Sequence, residues 1–265
     1  MIIEFIKYLT NPASQAAKKL GQLQETIALE ARYKRSREQW ASHLKHSKEI
    51  MISASKSISA DKDIIVLGSG LLLDIPLDYL SDNFNHVFLL DVVHLKKIKQ
   101  ITEHYKNITL VEQDITGLSD SIFDATKNHP TLTPKPDIPC LTPNTGLVIS
   151  ANMLSQIHLA PVFYAESKLA YSEQQLEQLA HDIMISHLRL LSTLPCKVCL
   201  LTDFVRLYKD KNQNIVTTES VLFDIELPKP DKTWYWEIAP RGELDKHFSM
   251  TSMVYAYEDY SNRLP

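Results

Sequence analysis

Hydrophobic residues near the start of the chain recur at helical spacing. Between residues 13 and 58 there is no proline and one glycine, Gly21. The apolar positions that share one helical stripe are Leu20, Leu23, Ile27, Ala31, Trp40, Leu44 and Met51. This period of three to four residues predicts two helices, over about 13–34 and 36–58.

From residue 62 the pattern changes to short apolar runs separated by helical stretches. The runs predict five strands, over 63–67, 86–92, 108–115, 146–152 and 197–203. Helices are predicted between them, over about 75–84, 94–105 and 172–194. Asp74 is the expected N-cap of the first of these helices, and Ser172 with Gln175 forms the capping pair of the last.

The remaining segments predict a loop and then further strands. Residues 124–145 contain five prolines, which exclude a helix or a central strand. Strand-like runs follow at 203–209, 214–226, 233–238 and 250–258. Alternating strands and helices followed by strands alone predict an α/β fold. We expect a Rossmann-like, doubly wound, mostly parallel sheet with antiparallel C-terminal strands.

Charge and composition divide the chain at about residue 60. Residues 1–60 hold ten Lys/Arg and five Asp/Glu, whereas the remainder holds 18 and 27, for a net charge of −4. We therefore expect a helical N-terminal extension, 1–60, that acts as a lid on an α/β domain, 61–265. No dense basic stripe with interleaved aromatic residues occurs, so a small-molecule substrate is favoured over a nucleic acid.

The cysteines and the apolar runs indicate the cellular compartment of the protein. Cys140, Cys196 and Cys199 show no disulfide framework, which indicates a reducing compartment. Cys196 and Cys199 are expected on opposite faces of a strand, as small buried side chains, rather than as a redox or zinc pair. No run reaches the ~20 apolar residues that span a bilayer. We predict a cytoplasmic protein without a metal site, and the oligomeric state stays open.

The predicted strands end in residues suited to a nucleoside. In an open α/β sheet the ligand lies beyond the carboxyl ends of the strands. The first strand ends in Gly68-Ser69-Gly70, the second in Asp91, the third in Asp114 and the fourth in Asn152. Glycines let the backbone approach a ligand, and a carboxylate can accept both hydroxyls of a ribose. The alternative is that the glycines only form the turn after the first strand and that Asp91 and Asp114 lie at solvated strand ends.

The same loop argues against a dinucleotide. The third glycine of a G-x-G-x-x-G motif would fall at Leu73, and it is absent. Asp74 and Pro76 delay the next helix and put a negative charge where a pyrophosphate would bind. A nicotinamide oxidoreductase is therefore disfavoured, and a ligand without phosphates is favoured.

Four segments resemble the ordered motifs of class I S-adenosylmethionine (SAM)-dependent methyltransferases. They are Val66-Leu-Gly-Ser-Gly, Leu89-Leu-Asp-Val, Val111-Glu-Gln-Asp-Ile and Val148-Ile-Ser-Ala-Asn-Met-Leu-Ser-Gln, within residues 62–205. The segments Trp40-Ala-Ser-His-Leu and Trp234-Tyr-Trp-Glu-Ile-Ala-Pro resemble segments of a bacterial branch of that superfamily. The resemblance implies SAM as cofactor and a methyltransferase acting on a small or medium substrate.

The resemblance also implies roles for individual residues. Gly68, Ser69 and Gly70 would lie against the methionine part of SAM, and Asp91 would hold the ribose. Val92, Asp114 and Ile115 would surround the adenine, with Asn152 facing the sulfonium. Two positions depart from the family pattern: Val66 replaces a common acidic residue and Leu72 replaces the third glycine. Because of these departures, the alternative interpretation is a catalytically inactive SAM-fold module that binds a partner.

Candidate catalytic and substrate residues come from three places. Asn152, Gln156 and His158 follow the fourth strand, and His158 is a candidate base. The alternative for Gln156 and His158 is a capped turn with an exposed imidazole. The candidate substrate residues are Arg37, Trp40 and His43 on one face of an N-terminal helix, with Trp236 and Arg241 near the C-terminus. Their alternatives are a packed helix with a buried tryptophan and an edge strand with a salt-bridged turn.

Overall fold

The computed structural model describes residues 2–119, 121–125, 132–261 and 263, and the side chains of residues 2 and 3 are not part of that description. Eight strands form one sheet: β1 (Asp63–Leu67), β2 (His86–Asp91), β3 (Ile108–Glu112), β4 (Thr145–Ala151), β5 (Lys197–Lys209), β6 (Ile215–Ser220), β7 (Lys232–Ala239) and β8 (Ser249–Tyr257). The helices are α1 (Ile2–Thr10), α2 (Gln15–Lys19), α3 (Gln22–Arg35), α4 (Arg37–Ser55), α5 (Leu77–Asn83), α6 (Lys96–Thr102), α7 (Leu159–Tyr164) and α8 (Glu173–Ser192).

The order of strands in the sheet is β3-β2-β1-β4-β5-β8-β7, with β6 paired to β5. Strands β1 to β5 pair in parallel, whereas β6, β7 and β8 join by antiparallel pairings. The predicted fold class is therefore confirmed. Chain order reverses between β1 and β4, which is the switch point where ligands bind in folds of this kind.

Helices cover both faces of the sheet. Helix α8 begins with the predicted capping box between Ser172 and Gln175, and it packs its apolar stripe on one face. Helices α4 and α5 pack on the other face, over β1, β2 and β4. Cys196 lies against the first of these layers and Cys199 is buried in the second, so the prediction that they occupy opposite faces is confirmed. Burial raises the pKa of the Cys196 thiol to about 11, which keeps it protonated.

Three predictions about local structure were wrong. The helix expected over 13–34 is broken at Gly21, which has a φ of +75° and directly precedes α3. Asp74 does not cap α5, because that helix begins at Leu77 with Pro76 in the cap position. The segment expected as a strand over 214–226 forms β6 only as far as Ser220.

Other segments were extended or missed by the sequence patterns. The fifth strand continues without a break through 203–209, and α7 with the π-helical turn Ala165–Leu169 had no counterpart in the predictions. Residues 132–144 contain no helix or strand, as the prolines predicted, and Pro130 lies outside the described residues. Within the described ranges, no helix combines the length and apolarity needed to span a bilayer.

Candidate functional site

The loop after β1 carries three residues with left-handed backbone. Gly68, Gly70 and Leu72 have φ values of +76°, +46° and +60°. A Cβ atom on Gly68 would lie 3.0 Å from both the Ala151 carbonyl and the Met153 Cβ. Glycine at this position therefore lets the ends of β1 and β4 approach each other at the switch point.

Leu72 occupies the position where the resemblance expects a third glycine. Its backbone keeps the conformation that favours glycine, at a cost of roughly 1–2 kcal/mol for a residue with a Cβ. Its side chain packs between the apolar cluster under α4 and α5 and the cluster formed by α3 with the segment after β2 and α6. Packing of this leucine therefore offsets the backbone strain, and the loop keeps its curvature without the glycine.

Asp91 closes this loop from the end of β2. Its Oδ2 accepts a hydrogen bond of 2.7 Å from the Gly70 backbone N–H. Its Oδ1 lies 3.5 Å from the Val93 backbone nitrogen, which is long for such a bond. Burial raises the pKa of the Asp91 carboxyl, opposed by these backbone donors. One carboxylate oxygen is thus fixed on the glycine loop, and the other retains capacity to accept.

The serine of the loop contacts a buried histidine that the sequence patterns did not single out. The Ser69 hydroxyl lies 3.1 Å from Nε2 of His94, and both side chains are buried. Burial lowers the pKa of His94 to about 4, so the imidazole is neutral at pH 7. This pair fixes the loop against the segment that follows β2.

The residues expected around an adenine occupy different surroundings. Val92 lies against the cluster of Leu23 and Ile27 from α3, whereas Ile115 is buried in the core on the α8 side of the sheet. The Asp114 carboxylate accepts hydrogen bonds from the backbone N–H groups of residues 116, 118 and 119 and from the Thr116 hydroxyl. Asp114 therefore holds the turn after β3.

A second group of polar residues meets at the end of β4. Asn152 has a φ of +51°, and its Nδ2 donates a 2.9 Å hydrogen bond to Asp74. The same Nδ2 lies 3.5 Å from Nε2 of His43 on α4. Nδ1 of His43 accepts a 3.0 Å hydrogen bond from the indole of Trp234 on β7. Residues up to 191 positions apart in the sequence thus meet at the end of β4, which the sequence patterns predicted as part of the ligand site.

The imidazole of His43 can act only as a donor in this arrangement. Because the Trp234 indole donates to Nδ1, the proton of the neutral ring resides on Nε2. Burial lowers the pKa of His43 to about 3, so the ring stays neutral at pH 7. His43 therefore holds the Trp234 indole and does not accept a proton from a ligand.

All three tryptophans of the chain contribute to this region. The His43 ring stacks on Trp236 with centroids 4.0 Å apart, and Trp40 meets Trp236 edge-on at 5.0 Å. The Trp40 indole donates a 2.9 Å hydrogen bond to the Ile238 carbonyl. Three of the candidate substrate residues, Trp40, His43 and Trp236, therefore lie together with Trp234, and Trp40 is the buried tryptophan of a packed helix that was given as its alternative.

Asp203 is a buried carboxyl that the patterns placed inside a strand and did not consider further. Its side chain is 1% exposed, and its Oδ1 has no hydrogen-bond partner. Oδ2 lies 3.9 Å from a terminal nitrogen of Arg206. Burial raises the pKa of Asp203 to about 6, opposed by Arg206 and by the nearby Ser252 hydroxyl. The signal that could have found it is the one used for the other strands, a polar residue just beyond the apolar run.

Four predicted candidates lie away from this group. Gln156 donates to the Asn152 carbonyl at 3.0 Å, which is the capped turn given as its alternative. His158 is 5% exposed and meets Phe223 edge-on, so the exposed imidazole expected in its alternative was wrong. Arg37 is exposed and lines a shallow cavity of about 370 Å³ on the outer side of α4. Arg241 is also exposed.

We expect the neutral, buried His43 to make the fold sensitive to acid. An unfolded histidine binds a proton near pH 6.5, whereas His43 in the fold does so near 3, so stability is lost as pH falls below 6.5. Between pH 6 and pH 5 the wild type should lose about 1 kcal/mol more unfolding free energy than His43→Gln. Urea unfolding at both pH values measures this difference, with the exposed His104→Gln as control. Equal losses in the wild type and His43→Gln would contradict the assignment.

Comparisons with known proteins give weak similarities. No family model matches the chain, and no curated protein matches it. Among solved structures, a DhpI–SAM–HEP complex is 12% identical, over 91% of this chain and 99% of that one, with a TM-score of 0.38. A Burkholderia thailandensis 1,6-didemethyltoxoflavin-N1-methyltransferase with bound S-adenosylhomocysteine is 12% identical, over 94% and 92%, at 0.38.

The 23S rRNA methyltransferase ErmE is a further similar structure. It is 12% identical, over 80% of this chain and 67% of that one, with a TM-score of 0.30. We therefore base the function of this chain on its own residues. Among the residues that the structure describes, no group of three or more His, Cys, Asp or Glu side chains could hold a metal ion.

Proposed function

We propose that the protein is a SAM-dependent methyltransferase acting on a small or medium substrate. The observation that carries the proposal is the pairing of Asp91 with the glycine loop at the switch point. Asp91 Oδ2 is fixed by the Gly70 N–H at 2.7 Å, and the carboxylate also receives backbone contacts from Val93, at 3.5 Å from Oδ1, and from Val92. A carboxylate held in this way can accept hydrogen bonds from a ribose diol.

The residues around this pair suit the rest of the cofactor. A Cβ on Gly70 would meet only Asp91 Oδ2 and the Gly68 carbonyl, at 3.8 and 3.9 Å, so no other described atom lies within 4 Å of that position. The backbone of 68–70 would hold the methionine part, and Val92 would pack on the adenine. Asn152 faces the position where the transferred group would lie. SAM supplies a methyl group activated by its sulfonium, and Asp114 maintains the turn beside the adenine position.

The surroundings of Asn152 support a small substrate. Trp40, His43 and Trp236 are buried between α4 and β7, so they do not form the exposed groove of basic side chains that binds a nucleic acid. A macromolecule would need such a groove, whereas a small molecule can be enclosed. The segments that begin at Trp40 and Trp234 support membership of a bacterial branch of the superfamily, and the cysteines, which lack a disulfide framework, support an activity in the cytoplasm.

A non-catalytic SAM-fold module is the second candidate. The observation in its favour is the apolar cover over the end of β2, where Leu23 and Ile27 of α3 pack with Val93 and Leu95. Leu72 joins the same cluster in place of a glycine. On this account the N-terminal helices seal the site permanently and serve a partner, instead of opening for a cofactor.

Calorimetric titration with SAM and with S-adenosylhomocysteine (SAH) separates these candidates. The methyltransferase account predicts saturable heat with both ligands at one site per chain and none with NADH. Absence of heat with SAM and SAH at millimolar concentration would exclude the cofactor. Binding of SAH without methyl transfer to any compound of a metabolite extract would favour the non-catalytic module.

A further inference from the structure

Two rows of residues on one face of the sheet bring Asp203 to the tryptophan cluster. Across β5, β8 and β7, Asp203 is paired with Val254 and Val254 with Trp234. Two positions along β8, Arg206 is paired with Ser252 and Ser252 with Trp236. Residues paired in register share a face of a sheet, so Asp203 lies on the face that α4 covers.

Asn152 reaches the same face from the neighbouring strand. Its backbone N–H donates a 3.0 Å hydrogen bond to the Leu201 carbonyl, two residues before Asp203. Its side chain extends toward His43, whose ring stacks on Trp236. We define the acceptor cluster as Asp74, Asn152, Asp203, Trp236 and Ser252.

This cluster leaves buried polar atoms without partners. Oδ1 of Asn152, Oδ1 of Asp203 and Nε1 of Trp236 are buried and have no hydrogen-bond partner in the protein, and the buried Ser252 hydroxyl lies near the Asp203 carboxyl and favours its ionised form. An unpartnered buried polar atom destabilises a fold, and native proteins leave few of them. Several in one cluster at a strand edge indicate a place that a polar ligand fills.

The unpartnered atoms define the chemistry of that ligand. Two of them, Oδ1 of Asn152 and Oδ1 of Asp203, are acceptors without a donor, and Asp74 adds a second carboxyl. A group with several N–H donors satisfies such acceptors, whereas a single hydroxyl donates only once. Nε1 of Trp236 needs an acceptor, which a carbonyl oxygen beside the nitrogen would provide.

We propose that the acceptor cluster binds a molecule carrying an amino group, whose N–H bonds are received by Oδ1 of Asn152 and Oδ1 of Asp203. The proposal rests on the proposed methyltransferase function and names the substrate class of its site. When the amino nitrogen loses a proton, the N–H electron pair stays on nitrogen and the proton bonds to the Asp203 carboxylate. Asp203 is then the proton acceptor of the site, a role that His43 cannot take.

Charged and titratable groups lie on each element that borders the Asp203 region. Arg206 lies on the same strand, His43 and His46 lie on α4, and Asp74 lies on the loop before α5. Arg206 is the charged group that acts on Asp203, and it also lowers the pKa of His158, which follows β4. His46 is replaced in the fluorescence experiment because its ring lies 5.4 Å from that of Trp234.

Intrinsic fluorescence tests the proposal because every tryptophan of the chain belongs to this region. In a His46→Gln background, the emission should titrate with a midpoint near pH 6. Asp203→Asn should abolish that transition. Ser252→Ala should fold and move the midpoint upward, because the hydroxyl that favours the carboxylate is gone. A transition that neither substitution changes would overturn the assignment to Asp203.

The ligand class is tested with glycinamide, which carries an amino group beside a carbonyl. Its matched control is glycolamide, in which a hydroxyl replaces the amino group, at equal ionic strength. Glycinamide, as a cation, should lower the midpoint by about half a pH unit or more, and glycolamide should leave it unchanged. Equal shifts with both compounds, no shift with glycinamide, or an effect of glycinamide that persists in Asp203→Asn would overturn the proposal.

A measurement of SAH binding separates the proposed amino-group site from the proposed cofactor site. Asp203 lies away from the glycine loop, so Asp203→Asn should bind SAH with an affinity within about 2-fold of the wild type. Failure of the wild type to bind SAH would contradict the cofactor assignment, whereas the fluorescence result for Asp203 would still stand. A tenfold loss confined to Asp203→Asn would place Asp203 in the cofactor site and overturn its role as acceptor of the substrate proton.

Discussion

Asp91→Ala should weaken SAH binding about 100-fold relative to the wild type. The substitution removes the carboxylate proposed to hold the ribose and leaves the Gly70 N–H without its acceptor. Hydrogen bonds to a charged group contribute about 1.5–3 kcal/mol, and 100-fold corresponds to about 2.7 kcal/mol. Isothermal titration calorimetry measures the change directly.

Two further variants separate charge from loop geometry. Asp91→Asn keeps an oxygen that can accept from Gly70, so it should retain part of the affinity, with a loss of about tenfold. Glu103→Ala removes an exposed carboxylate beyond α6 and should bind SAH like the wild type. An Asp91→Ala protein that keeps wild-type affinity would show that the ligand site lies elsewhere.

Trp40→Ala should cause the largest loss of stability. Trp40 is 3% exposed, packs edge-on against Trp236 and donates to the Ile238 carbonyl. Truncation of a buried tryptophan typically costs 3–5 kcal/mol through lost burial and the cavity it leaves. We expect a decrease of this size in the free energy of unfolding, measured by urea denaturation.

The controls for Trp40 test the packing of α4 against β7. Trp40→Phe keeps a ring but loses the hydrogen bond to Ile238, so a smaller decrease of about 1–2 kcal/mol is expected. Tyr235→Ala removes an exposed ring from the same strand as Trp236 and should change stability by less than about 0.5 kcal/mol. A Trp40→Ala effect no larger than that of Tyr235→Ala would mean that α4 contributes little to the fold.

Much of the candidate site was predictable because strand ends are local in sequence. A strand of five to seven apolar residues ends where the polar or glycine residues begin, and parallel strands bring those ends to one edge. Gly68, Gly70, Asp91 and Asn152 were found in this way. Asp203 also ended a predicted strand, over 197–203, but it was not singled out as a candidate, and β5 continues past it to Lys209.

The other contacts depend on tertiary structure that local patterns do not encode. The hydrogen bond between Trp234 and His43 joins residues 191 positions apart, and no spacing rule brings them together. Asp74 was assigned to a helix cap because its side chain commonly serves there, but Pro76 starts α5 later and leaves the carboxyl for Asn152. Gly21 was expected inside a helix because apolar spacing continues across it, yet its positive φ ends one helix and starts the next.

The central claim is that a nucleoside cofactor binds at the switch point between β1 and β4, below the N-terminal helices. A crystal structure of the protein grown with SAH tests it most directly. We predict ribose hydroxyls within hydrogen-bond distance of Asp91, the methionine part along 68–70, and the sulfur facing Asn152. SAH located at any other surface, or a structure in which Leu23 and Ile27 still cover an empty loop at saturating SAH, would contradict the account.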